Sequence, residues 1–296
     1  MTSFHNPKYS RREFINFIGA GMATLTFGKF QNVFAKDNVH LPQVAVQLYS
    51  VRRELEKDYQ TTLKNIADIG YYGVETYALP ENLTLQTVSS TLKSLELSVV
   101  AMHVDYPFGN TSLEDVLRMS EAYNCDIAVY AGWPEGEKYS SKESMERTAE
   151  QYAIASGKLF SHGIKFALHN HWFEFEPHSG EIPFLYLLKK LPPSILFEID
   201  VYWAQTGGAD PIKILSKFGD RAPLLHIKDG PATKEAMYRQ VPAGKGSIDF
   251  PAIFKASKNN VRYAIVEFDE YDGDIIDGLK MSYDYLVNNN FVKGRE

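Results

Sequence analysis

The chain has 296 residues, 44% of them hydrophobic and 23% charged, the proportions of a folded globular protein and not of a disordered or fibrous one. Its 31 basic and 37 acidic residues give a net charge of -6 with no dense Lys/Arg stretch, which argues against a nucleic-acid partner held by phosphate neutralisation and for a small neutral ligand. The single cysteine, Cys125, excludes an internal disulfide framework and a Cys-rich zinc site, so a metal here has to take His and carboxylate ligands.

Along the chain, residues 1–35 come first and read as a twin-arginine signal peptide. Ser10-Arg11-Arg12-Glu13 precedes an apolar run from Phe14 to Phe27, and Val33-Phe34-Ala35 offers the small residues of a cleavage site. The run is too short to span a membrane. Removing its four basic residues and one acid leaves 27 basic and 36 acidic residues, net -9. The expectation is an exported, periplasmic protein of residues 36–296 with no membrane span.

Strand signals follow at Gln43–Tyr49, Gly73–Tyr77, Ser98–His103, Ile127–Ala131, Ile164–His169, Ile195–Asp200, Leu224–Ile227 and Tyr263–Glu267. Helix-period segments alternate with them at Tyr59–Ile69, Leu83–Leu95, Leu113–Tyr123, Ser144–His162, Ile182–Lys190, Pro211–Phe218, Pro251–Ser257 and Ile276–Val287. Eight such units over about 260 residues match an α/β TIM barrel, (β/α)8, in number and size, as one domain over 36–296. Neither GxGxxG nor GxxxxGK[ST] is present, so an open sheet with a phosphate turn is disfavoured.

Barrel active sites are assembled at the carboxyl ends of the strands. Those ends carry Gln47 and Tyr49, Glu75, His103 and Asp105, Tyr130 and Trp133, His169 with His171 and Glu174, Asp200, His226 with Lys228 and Asp229, and Glu267. A lone His after an apolar strand is more often a hydrogen-bonded core residue than a ligand. Asp200, His226 and Glu267, however, end three successive strands and would meet at one rim. Carboxylates with imidazole suit Mn²⁺, Mg²⁺, Co²⁺ or Zn²⁺ and leave positions open for two substrate oxygens.

The segments Gln47-Leu48-Tyr49-Ser50-Val51-Arg52, Gly73-Val74-Glu75, His169-Asn170-His171-Trp172-Phe173-Glu174-Phe175, Asp200-Val201-Tyr202-Trp203, His226-Ile227-Lys228-Asp229 and Val266-Glu267 together resemble the sugar phosphate isomerase/epimerase family of xylose-isomerase-like TIM barrels. The resemblance covers essentially all of 36–296. It implies a divalent ion, commonly Mn²⁺, held by a Glu after the fifth strand, an Asp after the sixth, a His after the seventh and a Glu after the eighth. Asp200, His226 and Glu267 match three of these. The fifth strand departs from the pattern, ending in His169, so Glu174 is expected as the fourth ligand, with His169 or His171 as the alternative.

A metal gripping a carbonyl and a neighbouring hydroxyl stabilises an enediolate, which makes the adjacent carbon's proton removable. Returning it isomerises or epimerises; expelling a β-substituent makes a lyase or dehydratase, toward which the His-Asn-His segment leans, while export leans toward free sugars, glycosides or keto-glycosides, 3-keto-glycosides among them, as substrates. The acid/base candidates are Glu174, Glu267, His169 and His171. Glu75, His103, Trp203 and Lys228 are expected to contact the sugar, with Trp133, Trp172 and Trp203 as an apolar wall. Lys228 either steadies an oxyanion or pairs with Asp229. The same superfamily includes DNA-repair endonucleases of the apurinic-site type, whose multi-zinc sites and basic face suit neither this His count nor net -9. A non-catalytic exported sugar-binding protein is the rival reading, and a homo-oligomer stays open.

Overall fold

The computed structural model describes residues 41–295 apart from 79–82, 133–136, 179 and 258. The expected signal peptide of residues 1–35 and Trp133 lie outside the described residues. Eight strands, β1 (Gln43–Gln47), β2 (Gly73–Thr76), β3 (Ser98–Val104), β4 (Ile127–Tyr130), β5 (Lys165–His169), β6 (Leu196–Asp200), β7 (Leu224–Ile227) and β8 (Tyr263–Val266), pair in parallel and in chain order, and β1 closes on β8. This is the expected (β/α)8 barrel. Its helices are α1 (Arg52–Ile69), α2 (Leu85–Ser94), α3 (Leu113–Tyr123), α4 (Lys142–Phe160), α5 (Pro183–Lys190), α6 (Val201–Thr206), α7 (Pro211–Phe218), α8 (Phe250–Ala256) and α9 (Ile275–Asn288). Among the described residues, no helix is long and apolar enough to cross a membrane.

The strands are apolar because both of their faces are buried, one against the helices and one inside the barrel. Since side chains alternate, each strand divides its residues between two cores. A large cluster containing Val44, Val46, Val74, Met102, Ala128, Phe166, Leu168, Phe197, Ile199, Leu225 and Ile227 packs under the helices. A small one of Ala45, Ala101, Ala167, Leu224, Ile265 and neighbours fills the barrel interior. Gln47, His103, His169 and His226 each stand two residues beyond one of these interior positions and share its face. The polar site is therefore the next layer of the same stack, resting on an apolar floor.

Three elements differ from their sequence signals, each through a side-chain cap. β1 stops at Gln47, not Tyr49, because the Tyr49 N–H donates to Gln47 Oε1 at 3.1 Å and Leu48–Val51 coil into a 3₁₀ turn. Helix α1 begins at Arg52, but Asp58 breaks it with φ -153° and ψ 88°. Asp58 Oδ1 accepts from Thr61 N–H at 3.0 Å, so the periodic segment from Tyr59 is a capped helix of its own. The short α6 has no periodic signal; it exists because Asp200 Oδ1 accepts the Trp203 N–H at 2.8 Å.

Candidate active site and metal centre

Strand register brings the ionisable residues together. Asp200 pairs with His226 across β6–β7, Glu198 with His169 across β5–β6, and Gln47 with Glu75 across β1–β2. Glu198 and Asp200, two apart on β6, point the same way at different heights, and both are fully buried. Two overlapping sets of ligand-type atoms result.

The upper set is His169, Asp200, His226 and Glu267, whose ligand atoms all lie within 4.8 Å of one another. His226 Nδ1 is 2.7 Å from Glu267 Oε2 and 3.9 Å from Asp200 Oδ2. Two imidazoles and two carboxylates from four consecutive strands fit a divalent ion. Among the described residues these sets include His169, the alternative fourth ligand, and do not include Glu174. Glu174 Oε2 accepts the His171 N–H at 2.8 Å and so braces the β5–α5 loop. Asn170 pins that loop to β6, exchanging hydrogen bonds with the Asp200 backbone at 3.0 and 3.1 Å.

Lys228 Nζ is 2.9 Å from Asp200 Oδ2, 2.7 Å from Glu267 Oε2 and 2.9 Å from Asp269 Oδ2. The possible pairing with Asp229 is not found. Asp229 instead accepts the backbone N–H groups of Gly230, Gly244, Gly246 and Ile248 at 2.8–3.1 Å and knots the 241–249 loop beneath the rim. An ion in the upper set has to share its two carboxylates with the Lys228 ammonium or push it aside.

A lower set adds side chains that end-of-strand reading misplaced or missed. Glu75 was expected at the rim in contact with sugar. It is fully buried, accepts from Gln47 Nε2 at 2.7 Å, stands 2.7 Å from His226 Nε2 and 3.1 Å from His103 Nε2, and is not among the residues lining the cavity. Glu198 was missed, although an acid inside an otherwise apolar strand is itself a signal. Its Oε2 is 2.8 Å from His103 Nε2, 3.0 Å from His226 Nε2 and 3.1 Å from His169 Nδ1. Asp269, two residues past Glu267 on the same side, was missed as well.

Burial and neighbouring charges set the protonation states. Burial opposes charge on His103, but Glu75 and Glu198 outweigh it and push the imidazole up to about 10. His226 is likewise raised well above its ordinary value, against burial, by Glu198, Glu267 and Glu75. Burial and the neighbouring His226 pull His169 down to about 3, so it stays neutral, which suits a ligand and not an acid. Burial and His169 also lower His171. Burial raises Asp200 to about 6 against the pull of Lys228 and His226. Lys228 stays charged despite its burial because Asp200, Asp269 and Glu267 surround it. Glu267 stays ionised, burial being overcome by Lys228 and His226.

Above both sets opens a cavity of about 580 Å³. His103, His169, His171, Lys228, Glu267 and Asp269 lie at its base, and Tyr49, Tyr77, Trp172 and Tyr238 form much of its wall. Trp203 lines it while only 1% exposed, its ring centre 5.1 Å from that of Trp172 at a 55° tilt and 5.2 Å from Lys228 Nζ, so it backs the wall more than it presents a face. Of the residues expected to contact a sugar, His103, Trp203 and Lys228 reach the cavity and Glu75 does not.

Residues 63–282 match the family model of the xylose isomerase-like TIM barrel. No curated protein matches the sequence. A sugar phosphate isomerase/epimerase from Parabacteroides distasonis ATCC 8503 superposes with a TM-score of 0.73 at 21% identity, over 89% of this chain and 99% of its own. A probable 3-DHS dehydratase, AsbF, from Bacillus anthracis gives 0.66 at 14%, over 83% and 99%. The IOLI protein with a binding zinc atom also gives 0.66, at 13%, over 84% and 98%. At these identities the likeness carries the fold.

Proposed function

Since the chain belongs to the xylose isomerase-like TIM barrel family, we propose that it is a divalent-metal-dependent carbohydrate enzyme that abstracts the proton next to a carbonyl of a sugar or keto sugar. The observation that carries this reading is the convergence of His169, Asp200, His226 and Glu267 at the base of an aromatic-walled cavity. Those four residues would hold the ion, Mn²⁺ by family resemblance or Zn²⁺ by the solved relative that binds it. When bound, such an ion polarises a carbonyl and a neighbouring hydroxyl and lowers the cost of an enediolate.

The chain's own groups do the rest. Glu267, kept ionised beside Lys228, takes the proton from the carbon next to the carbonyl. Lys228, kept charged, hydrogen-bonds the developing oxyanion and can return a proton. His171, at the cavity, hydrogen-bonds a substrate hydroxyl, and Tyr49, Tyr77, Trp172 and Tyr238 cover the C–H face of the ring and exclude water. A cavity of about 580 Å³ falls in the range for drug-sized ligands, which favours a second outcome of the same abstraction: elimination of a β-substituent from a keto-glycoside.

In deuterated water, a keto sugar incubated with metal-loaded protein gains solvent deuterium next to its carbonyl, or a 3-keto-glycoside loses its aglycone. Neither event across a broad panel would leave the sugar-binding protein as the better reading. The Arg11-Arg12 leader supports export to the periplasm. Replacing both arginines by lysine is then expected to retain precursor in the cytoplasm, and unchanged export would refute the twin-arginine route.

A further inference from the structure

Beneath the rim, the lower set has the spacing of a second ligand shell. We propose that His103, His169, Glu198 and His226, with Glu75, form a second cation site inside the barrel that takes a zinc-type divalent ion, and that His226 joins it to the rim set through its two ring nitrogens. This goes beyond the rim site and does not depend on the reaction proposed above.

Three observations carry it. The first is distance. Three imidazole nitrogens surround Glu198 Oε2 at 2.8, 3.0 and 3.1 Å, and Glu75 Oε2 stands 2.7 and 3.1 Å from two of them. Tetrahedral ligands about 2.1 Å from one zinc stand about 3.4 Å apart, so these atoms, all within 4.8 Å of one another in the His103, His169, Glu198 and His226 set, need only a small outward shift to admit an ion. The second is surplus. A hydrogen-bonded network of charged imidazoles would use His103 and His226, but His169 Nδ1, buried and 3.1 Å from the same oxygen, makes no hydrogen bond among the described residues. Glu75 Oε1 and Glu198 Oε1 are also buried without a hydrogen-bond partner among them. The third is charge. Two wholly buried carboxylates carry a large desolvation cost, and among the described residues their ion pairs run to His103, His169 and His226 alone, so a divalent ion would take over the charge that protons on His103 and His226 supply in the metal-free protein.

The donor set selects the ion. Three imidazoles with two carboxylates suit Zn²⁺ better than Mg²⁺ or Ca²⁺, which favour oxygen. Gln47 Nε2, donating to Glu75 Oε2 at 2.7 Å, orients that carboxylate from outside the set. His226 presents Nε2 to Glu75 and Glu198 and Nδ1 to Glu267, so one ring can serve both levels as an imidazolate that releases both ring protons when both ions are bound.

The test counts metal. Full-length protein is stripped with chelator, reloaded with Zn²⁺, dialysed and measured by mass spectrometry, and crystals of the unmutated protein are examined by anomalous diffraction at the zinc edge. Two zinc ions per chain are expected, with one lost in Glu198→Gln and in His103→Gln while Asp200→Asn keeps the lower ion. An anomalous peak among His103, Glu198 and His226 supports the proposal without any variant. Zinc at the rim alone, or none, in folded wild-type protein overturns it. Zinc at the lower set with none at the rim upholds it and refutes the rim site, so the two readings fail separately.

Discussion

Asp200 has two tasks that a single substitution can separate. Its Oδ1 caps α6 and its Oδ2 faces the rim set. Asn is as good an N-cap as Asp, so Asp200→Asn removes the charge and leaves the helix start intact. Metal content of the rim site is expected to fall at least about tenfold, the scale of a lost metal contact, with an unchanged far-ultraviolet spectrum; retained metal would refute the ligand role. Protonation gives a second prediction. Because burial raises Asp200 to about 6 from 3.8, its carboxyl favours the metal-free fold below pH 3.8 and loses that contribution as pH rises through about 6. A cation needs the ionised form, so the gain in Tm on adding metal should shrink between pH 7.5 and pH 5. His226, protonated in the metal-free protein, has to release its proton on loading, which calorimetry in buffers of different ionisation enthalpy would detect. Cys125 gives a third. Burial pushes its thiol up to about 12, so native protein should not react with a thiol reagent at pH 8 and unfolded protein should. At this scale the sequence was partly legible. Asp200, His226 and Glu267 could be read because each closes an apolar run. Glu198 and the depth of Glu75 were not legible because height within a barrel depends on stagger between strands, and one strand read alone does not carry that.

The elements depend on polar anchors at their ends as much as on apolar periodicity. Eight strands were legible because burial on both faces leaves short apolar runs between amphipathic helices. Helix α6 was not, since its six residues are too short for a period and its cap is also a site residue. The 241–249 loop shows the same principle. Asp229 accepts three backbone N–H groups from it and a fourth from Gly230, and a Cβ at Gly246 would sit 2.2 Å from Asp229 Oδ1 and 2.3 Å from Gly230 N. Asp229→Ala would leave those donors unmatched, and with a lost hydrogen bond to a charged group contributing about 1.5–3 kcal/mol, a loss of about 3 kcal/mol in a urea titration is expected. Gly246→Ala should destabilise too, while the distant Cys125 stays unreactive in the folded fraction. A change below about 0.5 kcal/mol in Asp229→Ala would refute the anchoring role.

At the scale of the whole molecule, β1 is held on one side by β2 and on the other by β8, with Val46 opposite both Val74 and Val266. That closure has a kinetic consequence. The first strand to leave the ribosome cannot be satisfied until one of the last segments has been made, because its partner lies more than two hundred residues downstream. Partial chains carry open strand edges at both ends of a curved sheet, the condition that invites pairing with other chains. A chain terminated after Ser257 should therefore accumulate as aggregate, whereas the full chain refolds. The full chain should also refold with the closure of β1 on β8 as its last step, because that pairing spans the greatest sequence separation in the sheet. The last strand therefore acts as the clock: until Tyr263–Val266 docks beside Gln43–Gln47, there is no finished barrel.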